Sequence, residues 1–404
     1  MLRWGSRVVV GVLASALALG CGTSSDSSGK SAEGGTGGAA GGVSGGAGSG
    51  GHTGGTANTA GSAGALVSSN PLCPTSGPVV AGSTPLPDGV EVASTHQDAR
   101  LLVVSDSFAY WANGSIIRRI SVAGNAEEVI VDRSATKYTI QGIAIDDKNV
   151  YFTETGLGAA AGGPLAVAKA PLDGKGEPVS IANEGPGAAS SMAGLTVADG
   201  YVYYFNLRTA EIARVSVDGG TPTVMVRGAN PSKMTVAGGY LWFMHPITNN
   251  DNSNLIRVAL DAEAPPAGTA ASAVNVPPGT EAVAPVFNYQ PTAVSADAQY
   301  IYYDDENKVM RIPIAGGTPE LIAQAPDHSG FMSQDKTYVD YIVPSASGVF
   351  WDAEGSNCGY LMKSALDGSS SAPLVNAVGF PSMLGVNATH LYFNAAGQIL
   401  RVPL

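Results

Sequence analysis

The sequence predicts an all-β fold, a β-propeller of seven blades with four antiparallel strands each, and two repeated features predict it. The first is a pair of adjacent aromatic residues that closes a short strand-turn-strand unit and recurs at intervals of about 40 to 60 residues. Repeats of this length with several short strands are typical of propeller blades. The seven pairs are Tyr110-Trp111, Tyr151-Phe152, Tyr203-Tyr204, Trp242-Phe243, Tyr302-Tyr303, Phe350-Trp351 and Tyr392-Phe393.

The second feature is a basic residue between apolar neighbours, in the strand that follows each aromatic pair. These residues are Arg119, Lys169, Arg214, Arg257, Arg311, Lys363 and Arg401. Most of these strands run into a tight turn such as Asp173-Gly174, where glycine accepts positive φ easily, and a fourth strand follows. We interpret the aromatic column as packing between blades, rather than as a carbohydrate platform. We interpret the basic column as contacts to carbonyl or carboxylate groups of the next blade, rather than as an anion-binding ring.

The two ends of the repeat region complement each other. The seventh unit reaches Leu404 on its third strand, and residues 89–95, just before the first unit, read as a strand. We therefore predict that this N-terminal strand completes the last blade and closes the ring, which removes the open sheet edge. The propeller domain is predicted to span residues 71–404.

The N-terminus has the features of a secretory signal peptide over residues 1–20. Arg3 and Arg7 form a short positive segment before an apolar run over 8–19, and this run is too short to span a bilayer. The order Leu17-Ala18-Leu19-Gly20-Cys21 resembles the bacterial lipobox. This resemblance implies cleavage before Cys21 and acyl chains on Cys21 that hold the protein at a membrane. We expect a bacterial cell-envelope protein, anchored at the outer membrane and facing the periplasm or the surface; an ordinary signal peptide is the alternative.

Residues 21–70 are Gly, Ser, Ala and Thr with almost no large apolar side chain, and they hold many of the 53 glycines. Such a segment buries too little apolar surface to offset its ordering entropy, so we predict a disordered tether. If Cys21 is acylated, Cys73 and Cys358 remain. In an oxidising compartment these two cysteines are candidates for a disulfide, although spacing alone does not establish that they meet.

The charge and the motif content restrict the function classes. The formal net charge is −12, from 33 acidic and 21 basic residues, which argues against nucleic-acid binding and against direct adhesion to anionic lipid. The five histidines are scattered, and the sequence contains no nucleophile elbow, metalloprotease helix or phosphate-binding glycine loop. We expect no cofactor and no catalytic metal, with calcium on the polar segments 304–307 and 249–252 as an open alternative. We also expect a monomer.

One unit carries a resemblance to a known class of repeats. Residues 202–205, Val-Tyr-Tyr-Phe, and 212–220, Ile-Ala-Arg-Val-Ser-Val-Asp-Gly-Gly, resemble YWTD and NHL propeller repeats. The likeness covers 89–404, but the chain has seven units where YWTD domains usually have six, and it lacks the Trp-Thr-Asp continuation. The resemblance implies a role in binding proteins or glycans, as in most members of that class. A lactonase- or lyase-like enzyme is the alternative that it implies.

Propeller ligands usually sit at the mouth of the central channel, on the loops that enter the innermost strands. Alignment of the seven units and the aromatic content of the neighbouring insertions predict a ligand-binding patch there, formed by Arg100, Gln141, Lys233, Tyr289, Gln290, Tyr338, Asp340 and Tyr341. The alternative is that the aromatic residues fold back under their own loops. The sequence favours a non-catalytic binding or scaffold module, whereas the enzyme alternative would use Lys233, Asp340 or His328 at the same mouth.

Overall fold

The computed structural model describes a single repeated architecture. The residues described are 86, 89–94, 99–124, 126–136, 138–156, 164–186, 192–231, 233–246, 253–266, 277–286, 293–325, 338–354, 359–375, 381–395 and 397–404. Across these ranges, 28 strands form seven separate four-stranded antiparallel sheets, and the helical content is one short 3-10 turn at Ser134–Thr136. The predicted seven-bladed, all-β fold is confirmed.

The first four blades are consecutive along the chain. Blade 1 consists of β2 (Leu101–Val104), β3 (Phe108–Asn113), β4 (Ile116–Ser121) and β5 (Glu128–Asp132); blade 2 of β6 (Tyr138–Ile145), β7 (Asn149–Gly156), β8 (Pro164–Pro171) and β9 (Val179–Pro186); blade 3 of β10 (Met192–Ala198), β11 (Tyr201–Asn206), β12 (Glu211–Ser216) and β13 (Thr223–Arg227); and blade 4 of β14 (Met234–Ala237), β15 (Tyr240–Pro246), β16 (Ser253–Ala259) and β17 (Glu281–Val286).

The remaining blades follow the same order, and the last one is completed from the N-terminal side. Blade 5 consists of β18 (Val294–Ala296), β19 (Tyr300–Asp305), β20 (Lys308–Pro313) and β21 (Glu320–Gln324); blade 6 of β22 (Ile342–Ser345), β23 (Gly348–Glu354), β24 (Gly359–Ser364) and β25 (Ser371–Val375); and blade 7 of β26 (Ser382–Val386), β27 (His390–Ala395), β28 (Gln398–Pro403) and β1 (Glu91–Ser94).

The first strand of each blade lines the central axis. These first strands contact one another in a closed cycle, from β2 through β6, β10, β14, β18 and β22 to β26 and back to β2. Because the strands are antiparallel, two kinds of connection lie on the same face of the ring. They are the segments that enter the first strand of each blade and the turns between the second and third strands. We call this face the mouth face. The other turns of each blade lie on the opposite face, which we call the base face.

Ring closure occurs as predicted. β1 pairs with β28 through Glu91↔Arg401 and Val92↔Leu400, so a strand from the start of the domain lies beside the last strand of the chain. The Arg401 guanidinium binds the Glu91 carboxylate, with Nε to Oε2 at 2.8 Å, and donates from Nη1 to the carbonyl of Val122 in blade 1 at 2.8 Å. Arg401 on β28 therefore holds the closing strand β1 within blade 7 and also connects blade 7 to blade 1.

The predicted aromatic and basic columns both lie between blades. The two members of one pair face opposite interfaces, since Tyr110 packs in the cluster between blades 1 and 2 and Trp111 in the cluster between blades 7 and 1. In five blades the basic side chain donates to a carbonyl just after the third strand of the following blade. These contacts are Arg119 to Leu172, Lys169 to Val217, Arg257 to Ile314, Arg311 to Leu366, and Arg401 to Val122.

The outer edge of each blade is irregular in a repeated way. Every pairing between a third and a fourth strand contains a register shift, as at Ile117/Arg118 in blade 1 and Val92/Ser94 in blade 7. Bulges twist the edge strand and make it a poor template for another chain. The turn before that strand also packs on the previous blade. A Cβ on Gly368 would lie 3.1 Å from the carbonyl oxygen of Leu321, so glycine is needed there for close approach as well as for its positive φ of 74°.

Candidate functional site

The mouth face brings together buried polar side chains from blades 4, 5 and 6. We call Lys233, Asp304, Asp340, Tyr341 and Asp352 the mouth cluster. Four of the five are at most 8% exposed, and Asp340 is half-buried. Buried polar groups are stable only when they are hydrogen-bonded, and buried charges only when they are paired or solvated by dipoles. The geometry of their contacts therefore shows what these groups do.

Two aspartates of the mouth cluster hold the chain where it enters an innermost strand. Asp304 Oδ1 accepts from the backbone N–H of Ala293 at 2.8 Å, and Asp352 Oδ1 accepts from the N–H groups of Asp340 at 2.9 Å and Tyr341 at 2.7 Å. Both carboxylates are fully buried. Hydrogen bonds from backbone N–H groups to a carboxylate are charge-assisted and stronger than neutral ones. Each aspartate thus fixes the path of the loop that enters its own blade.

Sequence reasoning missed this role, although a signal existed. Asp304 and Asp352 directly follow the aromatic pairs of blades 5 and 6, and Asn394 stands at the same position in blade 7. Asn394 also anchors a strand entry, because its Nδ2 donates to the carbonyl of Ala99 at 2.9 Å. The polar residue after an aromatic pair is therefore a repeated anchor. Of the two segments of the calcium alternative, 249–252 lies outside the described residues. In the segment 304–307, Asp304 Oδ1 accepts from the N–H of Ala293, and Asp305 Oδ2 lies 3.8 Å from Lys308 Nζ, so both carboxylates already have partners within the protein.

Lys233 extends from blade 4 to blade 6 at the mouth of the channel. It precedes β14, and its Nζ donates to the carbonyl of Asp340 at 2.5 Å and lies 3.4 Å from the centre of the Tyr341 ring. The side chain is only 5% exposed. A carbonyl dipole and the face of an aromatic ring are both favourable partners for an ammonium group, more so when water is excluded. Lys233 is thereby fixed between two blades that are not neighbours in the ring.

The predicted ligand-binding residues are distributed unequally. Lys233, Asp340 and Tyr341 are brought into contact, whereas Arg100 is exposed at the entry to blade 1 and Gln141 is half-buried in blade 2. Tyr338 lies two residues before Asp340 and is 46% exposed. The ligand-binding role of all these residues stays a prediction.

Several predicted features lie outside the described residues. They are Tyr289 and Gln290 of the patch, His328 of the enzyme alternative, Cys21, the cysteines Cys73 and Cys358, the signal peptide over 1–20 and the tether over 21–70.

A second polar contact on the mouth face was not anticipated from the sequence. Arg133, just after β5, forms a two-pronged ion pair with Glu154 of β7, with nitrogen–oxygen distances of 2.7 and 2.8 Å. The Glu154 side chain is 2% exposed, and the Arg133 guanidinium lies 5.0 Å from the centre of the Tyr138 ring. This pair links blades 1 and 2 at the mouth, as Lys233 links blades 4 and 6.

The base face carries two cavities at blade interfaces. A cavity of about 490 Å³ between blades 2 and 3 is lined by Asp146, Tyr151 and Lys169, among others, and one of about 660 Å³ between blades 4 and 5 is lined by Tyr240, Arg257 and Tyr300, among others. The Tyr151 hydroxyl donates to Asp146 Oδ2 at 2.7 Å. Burial and then Asp146 raise the pKa of Tyr151 well above its usual value. The polar lining of these cavities is thus largely engaged in contacts within the fold.

The described part of the chain contains neither a metal-binding cluster nor a membrane-spanning helix. Within those ranges, no three or more His, Cys, Asp or Glu residues are grouped so that they could hold a metal ion. Over the same residues, no helix has the length and apolar character needed to cross a bilayer.

Comparison with known proteins identifies the architecture. No protein-family model matches the chain, and no curated protein matches it. Among solved structures, it is similar to a chain of a mitotic checkpoint complex, with 9% identity over 81% of this chain and 94% of that chain and a TM-score of 0.54. It is also similar to a chain in a structure of YCF48 bound to a D1 peptide, with 10% identity over 79% of this chain and 100% of that chain and a TM-score of 0.50.

A third solved structure matches over a smaller share of this chain. It is a nidogen/laminin complex, whose matched chain is 16% identical over 66% of this chain and 91% of its own length, with a TM-score of 0.44. The two similar chains with TM-scores of 0.54 and 0.50 show the propeller fold alone at such low identity, so function has to be argued from the site.

Proposed function

We propose that this protein is a non-catalytic binding or scaffold propeller of the bacterial cell envelope, anchored through acyl chains on Cys21, and that its ligand is a protein segment bound on the mouth face. The observation that carries the proposal is the engagement of the mouth cluster. Asp304 and Asp352 hold strand entries, and Lys233 joins blades 4 and 6. The two aspartate anchors form a rigid frame for the strand entries at the channel mouth, which is the usual arrangement of a recognition surface.

Tyr338 is the described residue of the predicted patch best suited to contact a partner. Its ring is 46% exposed, and it stands two residues before Asp340, whose backbone is fixed by Asp352. Exposed tyrosines on a rigid frame are favoured anchors in protein interfaces, because they bury a large area at low entropic cost. Two of the structurally similar propellers occur in structures with protein or peptide partners, the mitotic checkpoint complex and YCF48 with a D1 peptide. This parallel supports a protein rather than a glycan as ligand.

Replacement of Tyr338 tests the binding surface. The full chain would be screened against a peptide array and a glycan array, and the best peptide would be titrated against Tyr338→Ala. We expect at least a tenfold weaker affinity, because a central aromatic anchor contributes about 2 kcal/mol or more. Tyr201→Ala is the matched control, since Tyr201 is 39% exposed but lies at the start of β11 on the base face. Equal losses in the two variants, or binding to glycans alone, would contradict the proposal.

Replacement of Cys21 tests the location separately. The segment 17–21 resembles a lipobox, so Cys21→Ser should remove the expected acylation site. We expect the wild-type protein to fractionate with membranes and to incorporate labelled palmitate in a bacterial host. The Cys21→Ser variant should incorporate no label and leave the membrane fraction. Cys73→Ser serves as the control and should keep its label. Label that persists in Cys21→Ser would overturn lipid anchoring at this residue, whatever the outcome for Tyr338.

A further inference from the structure

We propose that blade 6 carries an ammonium-binding subsite at the mouth of the channel, that Lys233 of blade 4 occupies it as an internal ligand, and that a lysine side chain of a protein partner takes its place when the partner binds. The subsite consists of the Tyr341 ring face and the Asp340 carbonyl oxygen. The part that concerns the partner rests on the proposed binding function. The subsite itself does not depend on that function.

Blade 6 builds the subsite without help from Lys233. Asp352, on β23 of the same blade, accepts from the N–H groups of Asp340 and Tyr341, and its own N–H donates to the Tyr341 carbonyl at 3.3 Å. These contacts fix the backbone on both sides of the Asp340 carbonyl. The oxygen and the ring are thus preorganised for a cation, and preorganisation lowers the entropic cost of binding one.

The chemistry of the subsite selects a primary ammonium group. The distance of 3.4 Å between Lys233 Nζ and the ring centre is well inside the range of cation–π contacts, and the carbonyl accepts one of the three ammonium protons. The fully buried Asp352 carboxylate directly behind the Asp340 and Tyr341 N–H groups adds negative potential. An anion would be repelled there, and a neutral group would lose the cation–π attraction.

The occupant is suited to exchange. Lys233 reaches the subsite with a flexible four-carbon stem from a different blade, so it can withdraw while the blade 6 contacts stay intact. Asp340 is half-buried and Tyr338 is exposed beside it, which leaves the subsite next to the rim on which we place the partner. A lysine of the partner that anchors beside Tyr338 would have the same stem length and the same head group as Lys233.

Chemical rescue of a variant tests the subsite. In the full chain, Lys233→Ala should lower Tm by about 5 °C, because it removes a desolvated cation–π contact and a charge-assisted hydrogen bond. Propylammonium at about 100 mM should then restore roughly 3 °C, as expected for a ligand that binds only the folded state. Three controls should not show this rise in Tm. They are Lys233→Ala with 1-propanol, wild type with propylammonium, and the double variant Lys233→Ala/Tyr341→Leu with propylammonium. The subsite would be overturned if propylammonium raised the Tm of wild type and of the double variant as much as that of Lys233→Ala. It would also be overturned if propylammonium left the Tm of Lys233→Ala unchanged.

A second variant covers the case in which Lys233→Ala does not fold. Lys233→Met keeps the stem and its packing but lacks the charge, so its Tm measures the ammonium contribution alone. We expect a loss in Tm that shrinks by at least half in a Tyr341→Leu background. An unchanged loss in that background would contradict the Tyr341 contact.

The partner's lysine is tested with Nα-acetyl-lysine methylamide as the probe. It should bind Lys233→Ala at least tenfold more tightly than wild type, because in wild type it has to displace Lys233. Its Nζ-acetylated form should bind neither protein. Equal binding of the two probes to Lys233→Ala would overturn the selection of an ammonium. Equal affinity for wild type and Lys233→Ala would overturn the occupancy by Lys233. Neither measurement involves Tyr338. A negative result for the subsite is therefore distinguishable from a negative result for the Tyr338 binding surface.

Discussion

Deletion of β28, residues Gln398–Pro403 with Leu404, is expected to unfold the entire propeller rather than one blade. β28 lies between β27 and β1, so its loss removes two strand pairings and leaves the closing strand without a partner. Ile399, Leu400 and Val402 are at most 5% exposed. Each such side chain contributes about 1 to 5 kcal/mol, and a domain of this kind has only about 5–15 kcal/mol of net stability.

The measurement is a thermal and urea unfolding curve followed by circular dichroism, together with light scattering. We expect the truncated chain to lack a cooperative transition and to aggregate, because blades 1 and 7 lose their closure and expose apolar faces. A chain that lacks only Leu404 is the control. Leu404 lies outside β28, and its loss removes one hydrogen bond to the Thr389 carbonyl and one partly buried side chain, so this chain should keep a cooperative transition at a slightly lower temperature. A cooperative transition of the truncated chain at the wild-type temperature would show that the fold does not need ring closure through the β28–β1 pairing.

The blade pattern could be predicted from the sequence because its determinants repeat. Aromatic pairs and basic residues stand at fixed positions in every unit, so a single assignment of strands explains all seven. The role of Arg119 or Arg401 also follows, since a long basic side chain on the third strand can reach the next blade, as it does in five of the seven blades. In the same register the last unit lacks its fourth strand, so the sequence also predicts that residues before Arg100 supply this strand and close the ring.

The site was predicted less completely, because its contacts do not repeat. Alignment placed Lys233 and Asp340 at the same end of their blades, but it could not show that Lys233 reaches across to blade 6, 107 residues further along the chain. The sequence places Asp304 in an acidic turn and does not single out Asp352, since the role of each depends on backbone N–H groups about a dozen residues earlier. Contacts across the channel depend on side-chain directions that a repeat pattern does not encode.

High pH is expected to unfold the propeller between about pH 10 and 12, because several core tyrosines cannot ionise in place. Burial raises the pKa of Tyr203 to about 12 and of Tyr360 to about 12, and both are 1% exposed. Burial also raises the pKa of Tyr151, Tyr302 and Tyr303 even further, with Asp146 and Asp297 adding to the effect for the first two. In the unfolded chain these phenols ionise near pH 10.

The sign of the effect follows from proton binding. Above pH 10 the unfolded state loses phenolic protons that the folded state keeps, so the free energy of unfolding falls as pH rises, whereas below pH 10 both states are protonated and the contribution is complete. A rise of two units in the pKa corresponds to a loss of about 2 kcal/mol of stability per tyrosine at pH 12. Five such residues together are comparable to the roughly 5–15 kcal/mol that stabilises a folded domain.

The test is a series of urea unfolding curves from pH 8 to above pH 12, with phenolate absorbance recorded in parallel. We expect a level free energy of unfolding up to about pH 10, a steep fall above it, and ionisation of the core tyrosines only as the fold is lost. Tyr203→Phe and Tyr203→Phe/Tyr360→Phe remove ionisable hydroxyls at buried positions and should move the alkaline midpoint upward stepwise. If ionisation of the buried phenols precedes unfolding, or if the double variant unfolds at the wild-type pH, buried tyrosines do not set the alkaline limit.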